Sequence, residues 1–557
     1  MAKLTPLAKG LLSVAIVGGA AALAWNLGLR DMVHSRLADK SAPAAQAPSH
    51  TEGTAQPGKS APVSGPLGTP ENPLKVSIVS FHGYAPALVA SGKSLTTQPG
   101  SIFARQGVNV QFIIQDDIPT LTTIFESGTA QCAWRTSDFW AQEQPNLRNS
   151  GHDARAIMIV DNTQGADAVI ARDANIRRIE DLAGHTVALL QFTPSHGMVI
   201  DAVANSSLTG RKKSTVKYVY INAEEGTAGV RAAFESGSVD AAALWDPDLS
   251  LAVQKVSGAH VIYSTKTASN LIYDVIVCDK RYLDDSRNTN AFQGFVAGWL
   301  EGVTASRAAP DEAVAALLQT EQFFALLAKE QGRDFVKGLF GNLVWTGLDE
   351  NARALGLVGG TNHYERVYRT FDGIYRAAGA LANPSSPVIN PQDSFDYRFV
   401  QALLSKDKAA QTAAAKPEFT FSEGERERAV QGPAAVTKPI VVSFTTGSAT
   451  LNKRAQKTVD DEMVPFIENN GSAYFELSGN TDSTGARDTN LRLSHARAQA
   501  VVDYLVSQWD FDRTRFQVTG HGSDRPLCDE SNPGTEDLTL DACRAANRTT
   551  RVAVLSR

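Results

Sequence analysis

Asp482 and Arg497, set 15 residues apart, are the pair in this sequence best suited to grip a small charged group. Asp482 falls in Thr481-Asp482-Ser483-Thr484-Gly485, a loop expected after a strand over residues 473–478. Arg497 falls on a helix expected over residues 490–507. A glycine at 485 lets the chain double back, so a carboxylate and a guanidinium can converge. A zwitterion requires one of each, and the planar fork of Arg suits a carboxylate where Lys does not. The plainer alternative is a surface ion pair, worth about 0–1 kcal/mol.

A second group of residues is marked by position. Residues 73–405 alternate strand and helix, which argues for parallel α/β sheets. In such sheets ligands bind at the C-terminal ends of strands. That nominates His82, Gly83 and Tyr84; Trp134, Thr136 and Ser137; Asp167; Thr193, Ser195 and His196; and Trp245 and Asp246. Thr193-Pro194-Ser195 reads as a helix start whose free amides would suit a phosphate, sulfonate or carboxylate; plain capping is the alternative. The two tryptophans could stack on a ring or fill a core. His82 and His196 are lone histidines, a type more often structural than catalytic.

The elements that must position these residues are legible in outline. Strands are expected over 75–80, 108–114, 156–160, 167–171, 186–190, 216–221 and 241–244, with a helix over 118–127. Residues 290–405 read as mostly helical, including 311–331 and 364–382. The C-terminal stretch reads as strand 440–444, helix 454–469, strand 473–478, helix 490–507, strand 516–519 and a last strand 548–555. That is a βαβαβ order closed by a final strand.

Composition limits the classes. The 557 residues exceed one core, and a formal charge of −6 gives no reason to expect nucleic acid. Lys3 and Lys9 precede an uncharged run over 10–29, long enough at about 1.5 Å per residue to cross a bilayer. Residues 1–36 therefore read as a membrane anchor, with cleavage after Ala22-Leu23-Ala24 as the alternative. Either way the bulk is exported, and the lysines leave it on the periplasmic side of the inner membrane. Residues 37–72 and 406–437 read as linkers, the second partly helical. Cys528 and Cys543 lie close enough to staple a loop, while Cys132 and Cys278 read as buried thiols or a long-range pair. Neither has metal or redox spacing, and a loop cystine fits an oxidising compartment. No cofactor, metal site, nucleophile–base motif or phosphate-binding loop is expected.

Two resemblances follow. Residues 438–557 resemble the OmpA-like domain shared by OmpA, Pal and MotB. The likeness rests on Phe444, Leu451, the Thr481–Gly485 loop, Asn490, Leu493-Ser494, Arg497-Ala498 and Asn547-Arg548. It implies an α+β domain that binds the peptidoglycan of Gram-negative bacteria, whose diaminopimelate presents an ammonium beside a carboxylate. It also implies hydrogen bonds from Thr481 and Asn490 and support from Arg548 on the last strand. Here Asn547-Arg548-Thr549-Thr550-Arg551 replaces the commoner Asn-Arg-Arg, which weakens Arg551 as a site residue.

Residues 73–405 resemble periplasmic solute-binding proteins of the nitrate/sulfonate/taurine/thiamine-pyrimidine group. That likeness rests on 76–84 with Pro86, 121–128 before Cys132-Ala133, 165–168, 179–184, 193–196 and 239–247. It implies a two-lobed type II α/β domain with ligand in its cleft. The whole then reads as a multidomain α/β envelope protein that holds peptidoglycan and carries a solute-binding module. A small, anionic solute and an ABC transporter permease are its expected partners. A structural tether whose middle domain docks a protein is the alternative. An enzyme of the thiamine-pyrimidine branch is disfavoured, because the clustered cysteines such enzymes carry for iron are missing.

Overall fold

A computed structural model describes residues 65–555 except 118, 119, 122, 417–421 and 537. The expected membrane segment, 10–29, lies outside the described residues, as does most of the first linker. Among the described residues no helix is long and apolar enough to cross a membrane.

The middle domain holds two sheets joined by two crossings. Strands β1 (Leu74–Ile78) and β2 (Val110–Ile114) run parallel, and β3 (Cys132–Thr136) flanks β1 on its other side. Helix α1 (Ser137–Asn149) leads to β4 (Ala154–Thr163), a buried ten-residue strand. The chain then crosses to a second sheet formed by β5 (Asp167–Ala171), β6 (Thr186–Leu190), β7 (Lys217–Ile221), β8 (Ala241–Trp245) and β9 (His260–Ser264). Helix α2 (Pro194–Ala204) follows β6, with proline at the first helical position, where no hydrogen bond is lost. Residues 265–272 return the chain to β10 (Tyr273–Asp279), antiparallel between β3 and β4. With β11 (Leu343–Trp345) on the edge, the orders are β11-β4-β10-β3-β1-β2 and β7-β6-β8-β5-β9. Helix α3 (Thr289–Ala308) covers the first sheet. Helix α4 (His363–Ala377) packs on both α1 and α2, burying Tyr364, Val367, Tyr368, Phe371 and Tyr375 on one face at three- and four-residue spacing.

The C-terminal domain adds β12 (Ala434–Ile440), α5 (Val464–Asn469), β13 (Tyr474–Asn480), α6 (Arg487–Trp509), β14 (Phe516–Gly522), α7 (Leu540–Asn547) and β15 (Thr550–Leu555). Its sheet order is β12-β15-β13-β14. Helix α6 lies directly on β13, where a Cβ on Gly479 would meet the Ser494 carbonyl oxygen at 2.0 Å.

Several expectations are corrected. The sheets are mixed rather than parallel, because β4, β5 and β10 pair antiparallel with neighbours. Residues 123–128 are turns, not the end of a helix. The helix expected over 311–331 breaks at Glu321, whose backbone is extended. The helix expected over 454–469 is interrupted by a π turn at Val459–Met463, just ahead of Pro465. The first C-terminal strand is β12, ending where a strand over 440–444 was expected to begin. Arg548 caps α7 rather than lying on the last strand. The ends of both linkers are packed. Leu67 is buried, with its amide on Asn288 Oδ1 at 2.9 Å, and Arg353 donates to the carbonyls of Ala413, Ala414 and Lys416.

The two domains meet along a polar seam. Arg366 of α4 is buried and donates to the Pro465 carbonyl (3.1 Å) and Asn469 Oδ1 (2.5 Å), with Glu468 at 3.4 Å. Asn270, in the crossing 265–272, donates from Nδ2 to the Glu468 carbonyl (3.0 Å), and its amide donates to the Asn469 carbonyl (3.2 Å). On the second sheet's side, the Thr437 amide donates to Glu180 Oε1 (2.8 Å), and Glu536 takes bonds from Thr209 and Lys212, each at 2.7 Å.

Both cysteine pairs are disulfides, Cys132–Cys278 and Cys528–Cys543. The first joins cross-strand partners on β3 and β10 and closes a loop of 146 residues. Replacing Cys132 and Cys278 by Ala should lower the middle domain's stability by about 3 kcal/mol, read from its denaturant midpoint. Arg366→Ala leaves Glu468 buried without its cation, a loss of about 3 kcal/mol from the seam. Calorimetry should then resolve a separate, earlier transition for the C-terminal domain.

Candidate functional site

A cavity of about 410 Å³ opens between the two sheets. Trp134, in the middle of β3, and Trp245, at the end of β8, form its walls together with Phe139 and Phe323. A narrower pocket shares Trp134, Pro194 and Trp245 with it and ends on Thr136, Thr163, Asp167 and Asp274. Of the residues expected from the sequence, Trp134, Thr136, Asp167, Thr193, Trp245 and Asp246 line this cleft.

The others sit behind it. Tyr84 is buried and donates its hydroxyl to Asp274 Oδ2 at 2.8 Å. Gly83 presses on Asp161, so closely that a Cβ there would meet Asp161 Oδ2 at 2.1 Å. His82 is buried, and the loss of water holds it neutral, down at about 3. Ser137 accepts the Tyr273 amide at 3.3 Å. Ser195 is fully buried in the first turn of α2. His196 is turned toward Tyr218 and Tyr220, accepts the Phe192 amide at 3.1 Å, and is held down at about 4 by burial.

Sequence reasoning found Asp167 and Asp246 but missed the other carboxylates. Asp116, Asp117, Glu224, Glu225 and Asp248 line the outer cleft, and Asp274 its inner end. Acidic residues scattered over loops look like solvated surface, and only the fold gathers them. Asp274 lies across the strands from Asp161 on one side and Thr136 on the other. Burial, then the neighbouring Asp274 and Asp167, raise Asp161 well above the usual carboxylate range. Burial and Asp274 do the same to Asp167. Arg135 is the one cation among the described lining residues. Its donors are committed to Glu143 and to the Trp134 and Leu121 carbonyls.

In the C-terminal domain, the loop 481–485 runs from β13 to α6. Asp482 is ion-paired to Arg548 at 2.5 Å rather than to Arg497, and accepts the Thr484 amide at 3.0 Å. Arg497 donates to the Ser448 and Thr445 carbonyls at 3.0 and 3.4 Å and stacks over the Phe444 ring at 5.0 Å. Burial lowers its pKa and the charge of Asp482 raises it, so the two feel each other without bonding. Asn490 donates to the Thr484 carbonyl (3.0 Å) and the Thr481 hydroxyl to the Asp482 carbonyl (3.0 Å); both shape the loop. Arg551 is nearly buried on β15, held down at about 10 by burial and then by Arg525.

Glu530 was not expected. It receives the Ser483 amide (3.0 Å) and hydroxyl (2.7 Å), Asn547 Nδ2 (2.9 Å) and Arg544 Nε (3.1 Å). It therefore ties the loop to the segment stapled by Cys528–Cys543. No local motif marks Glu530, because its partners come from two separate stretches, the 481–485 loop and α7.

The segment 98–313 matches the NMT1/THI5 like family, and 443–537 matches the OmpA family. The chain joins an NMT1/THI5-like segment to an OmpA-family segment. An aliphatic sulfonates-binding protein of Escherichia coli is 29% identical over 164 residues, 29% of this chain and 45% of that protein. Outer membrane protein Omp38 of Acinetobacter baumannii is 40% identical over 58 residues, 10% of this chain and 16% of that protein. The chain thus spans less than half the length of either relative. The peptidoglycan-associated lipoprotein of Rhizobium meliloti is 27% identical over 153 residues, 27% of this chain and 73% of that protein. Among solved structures, the periplasmic aliphatic sulphonate binding protein SsuA from Escherichia coli aligns with a TM-score of 0.45 at 16% identity, covering 60% of this chain and 98% of its own.

Although burial of Glu530 pulls the other way, the donors from Asn547, Ser483 and Arg544 hold it down at about 2. A depressed carboxylate contributes stability that is complete above its unfolded value of about 4.3 and is lost as pH falls toward about 2. Amide exchange at 482–485 in the OmpA-family segment should therefore accelerate across that window. Glu530→Gln should show fast exchange already at neutral pH.

Proposed function

We propose that this is a cell-envelope protein that grips peptidoglycan through its OmpA-family segment and carries a periplasmic solute-binding cleft in its NMT1/THI5-like segment. Residues 1–36 then serve as an inner-membrane anchor, or as a leader that exports the rest, and an ABC transporter permease receives the solute. The observation that carries the reading is the division of labour around Asp482. Its carboxylate is held by one exposed side chain, Arg548, while Arg497 is fixed nearby by backbone carbonyls and the Phe444 ring. An incoming ammonium can take Asp482 from Arg548, and the carboxylate beside it can meet Arg497. Diaminopimelate in the peptidoglycan stem peptide offers that ammonium–carboxylate pair. The names of the relatives agree with both halves of the reading: one is a peptidoglycan-associated lipoprotein, another a sulfonates-binding protein. The reading is of a binding protein rather than an enzyme, in line with the printed names of these relatives.

The test is retention of the full chain on purified sacculi. Asp482→Ala and Arg497→Ala should each weaken retention roughly tenfold or more, as removal of one partner of a desolvated charge contact does. Retention unchanged in both variants would overturn the assignment.

A further inference from the structure

The charge of the cleft is opposite to what an anionic solute needs. Its inner end carries Asp167 and Asp274, and Asp246 lies beside them on the lining. Asp161 is fully buried, with neither carboxylate oxygen hydrogen-bonded, and projects from the sheet on the same face as its cross-strand partner Asp274. Two like charges directly opposite on neighbouring strands repel, and a buried carboxylate without donors is costly. Such carboxyls favour a proton until a cation brings compensating charge.

Among the described residues no side-chain cation supplies it. Arg135 is spent on Glu143, and His82, behind Gly83, is neutral. Tyr84 gives Asp274 a single hydroxyl proton. The positive features on the described lining are helix N-termini: that of α2 at Thr193 and Pro194, and those of the helices Gly226–Ser236 and Asp248–Lys255. A helix end is equivalent to about half an elementary charge, which the surrounding carboxylates outweigh. The carboxylates also do not converge as metal ligands do: no group of three or more metal-ligating side chains is gathered among the described residues. The remaining complement is an organic cation, whose nitrogen can donate to the carboxylates and whose charge can lie on the Trp134 and Trp245 rings.

We propose that the cleft takes a ligand bearing an ammonium or amidinium group, seated at Asp167 and Asp274 against the Trp134 and Trp245 indoles, and that a simple sulfonate or phosphate is excluded. This rests on the reading of the NMT1/THI5-like segment as a solute-binding module, and it names the charge of the solute. An anionic group on the same ligand could still face the helix end at Thr193, which makes the amine the discriminating part.

Calorimetric titration of the full chain with paired probes tests it: taurine against ethanesulfonate, and 2-phenylethylamine against 2-phenylethanol, with agmatine as a longer cation. The amine-bearing member of at least one pair should bind, its amine-free partner should bind roughly tenfold or more weakly, and Asp274→Asn and Asp167→Asn should each weaken the amine by a similar factor. Because asparagine matches aspartate in size and relieves like-charge contact, Tm should hold or rise in both variants. Ethanesulfonate binding as tightly as taurine would overturn the charge assignment while leaving a solute-binding cleft. Amine binding unaffected by either variant would overturn the seat. Silence of all five probes would overturn both the cation and the solute-binding reading beneath it.

Discussion

Arg366 is the residue around which the two domains are assembled. A guanidinium taken out of water must recover its lost hydration from protein, and here the recovery crosses a domain boundary: a main-chain carbonyl, an amide side chain and a carboxylate, all from α5. Glu468 and Asn469, with Asn470 after them, also hold Asn270 and Tyr263 in the middle domain. The C-terminal domain is thereby fixed to the segment through which the chain returns from one sheet to the other.

The two sites are built by opposite strategies. Around Glu530 every oxygen is supplied with donors, so a loop with little apolar content is ordered by a satisfied polar network. At the inner end of the cleft, strand pairing forces Asp161 and Asp274 together and leaves Asp161 without a hydrogen-bond donor. The first arrangement rigidifies; the second stores an electrostatic demand.

Much of this was legible in the sequence, for physical reasons that differ by element. Strands β5 and β6 were readable to the residue because they are short apolar runs bounded by turns. The positions of Trp245 and Asp246 on the cleft followed from the C-terminal end of β8, whereas Trp134 lies within β3 and Asp167 opens β5. Strand β10 was missed: its segment follows no helix, pairs antiparallel and begins with Tyr273-Asp274, so it breaks the alternation that identified the others. Without β10 the meeting of Asp274 with Asp161 could not be foreseen, and the cleft looked suited to anions. The ion pair of Asp482 with Arg548 was not foreseen for a related reason. Arg548 and Arg497 are both within reach of the loop, and the choice between them depends on where α7 ends.

The seam also fixes the mechanics of the cleft. The C-terminal domain touches α4 and the crossing on one side, and Glu180, Thr209 and Lys212 of the second sheet's half on the other. Rotating one half of the middle domain against the other must stretch these contacts, each neutral one worth about 1 kcal/mol. They act as struts across a hinge. A braced cleft pays little further ordering entropy when it is filled, so it gains affinity for whatever matches its resting shape and surrenders tolerance for anything larger.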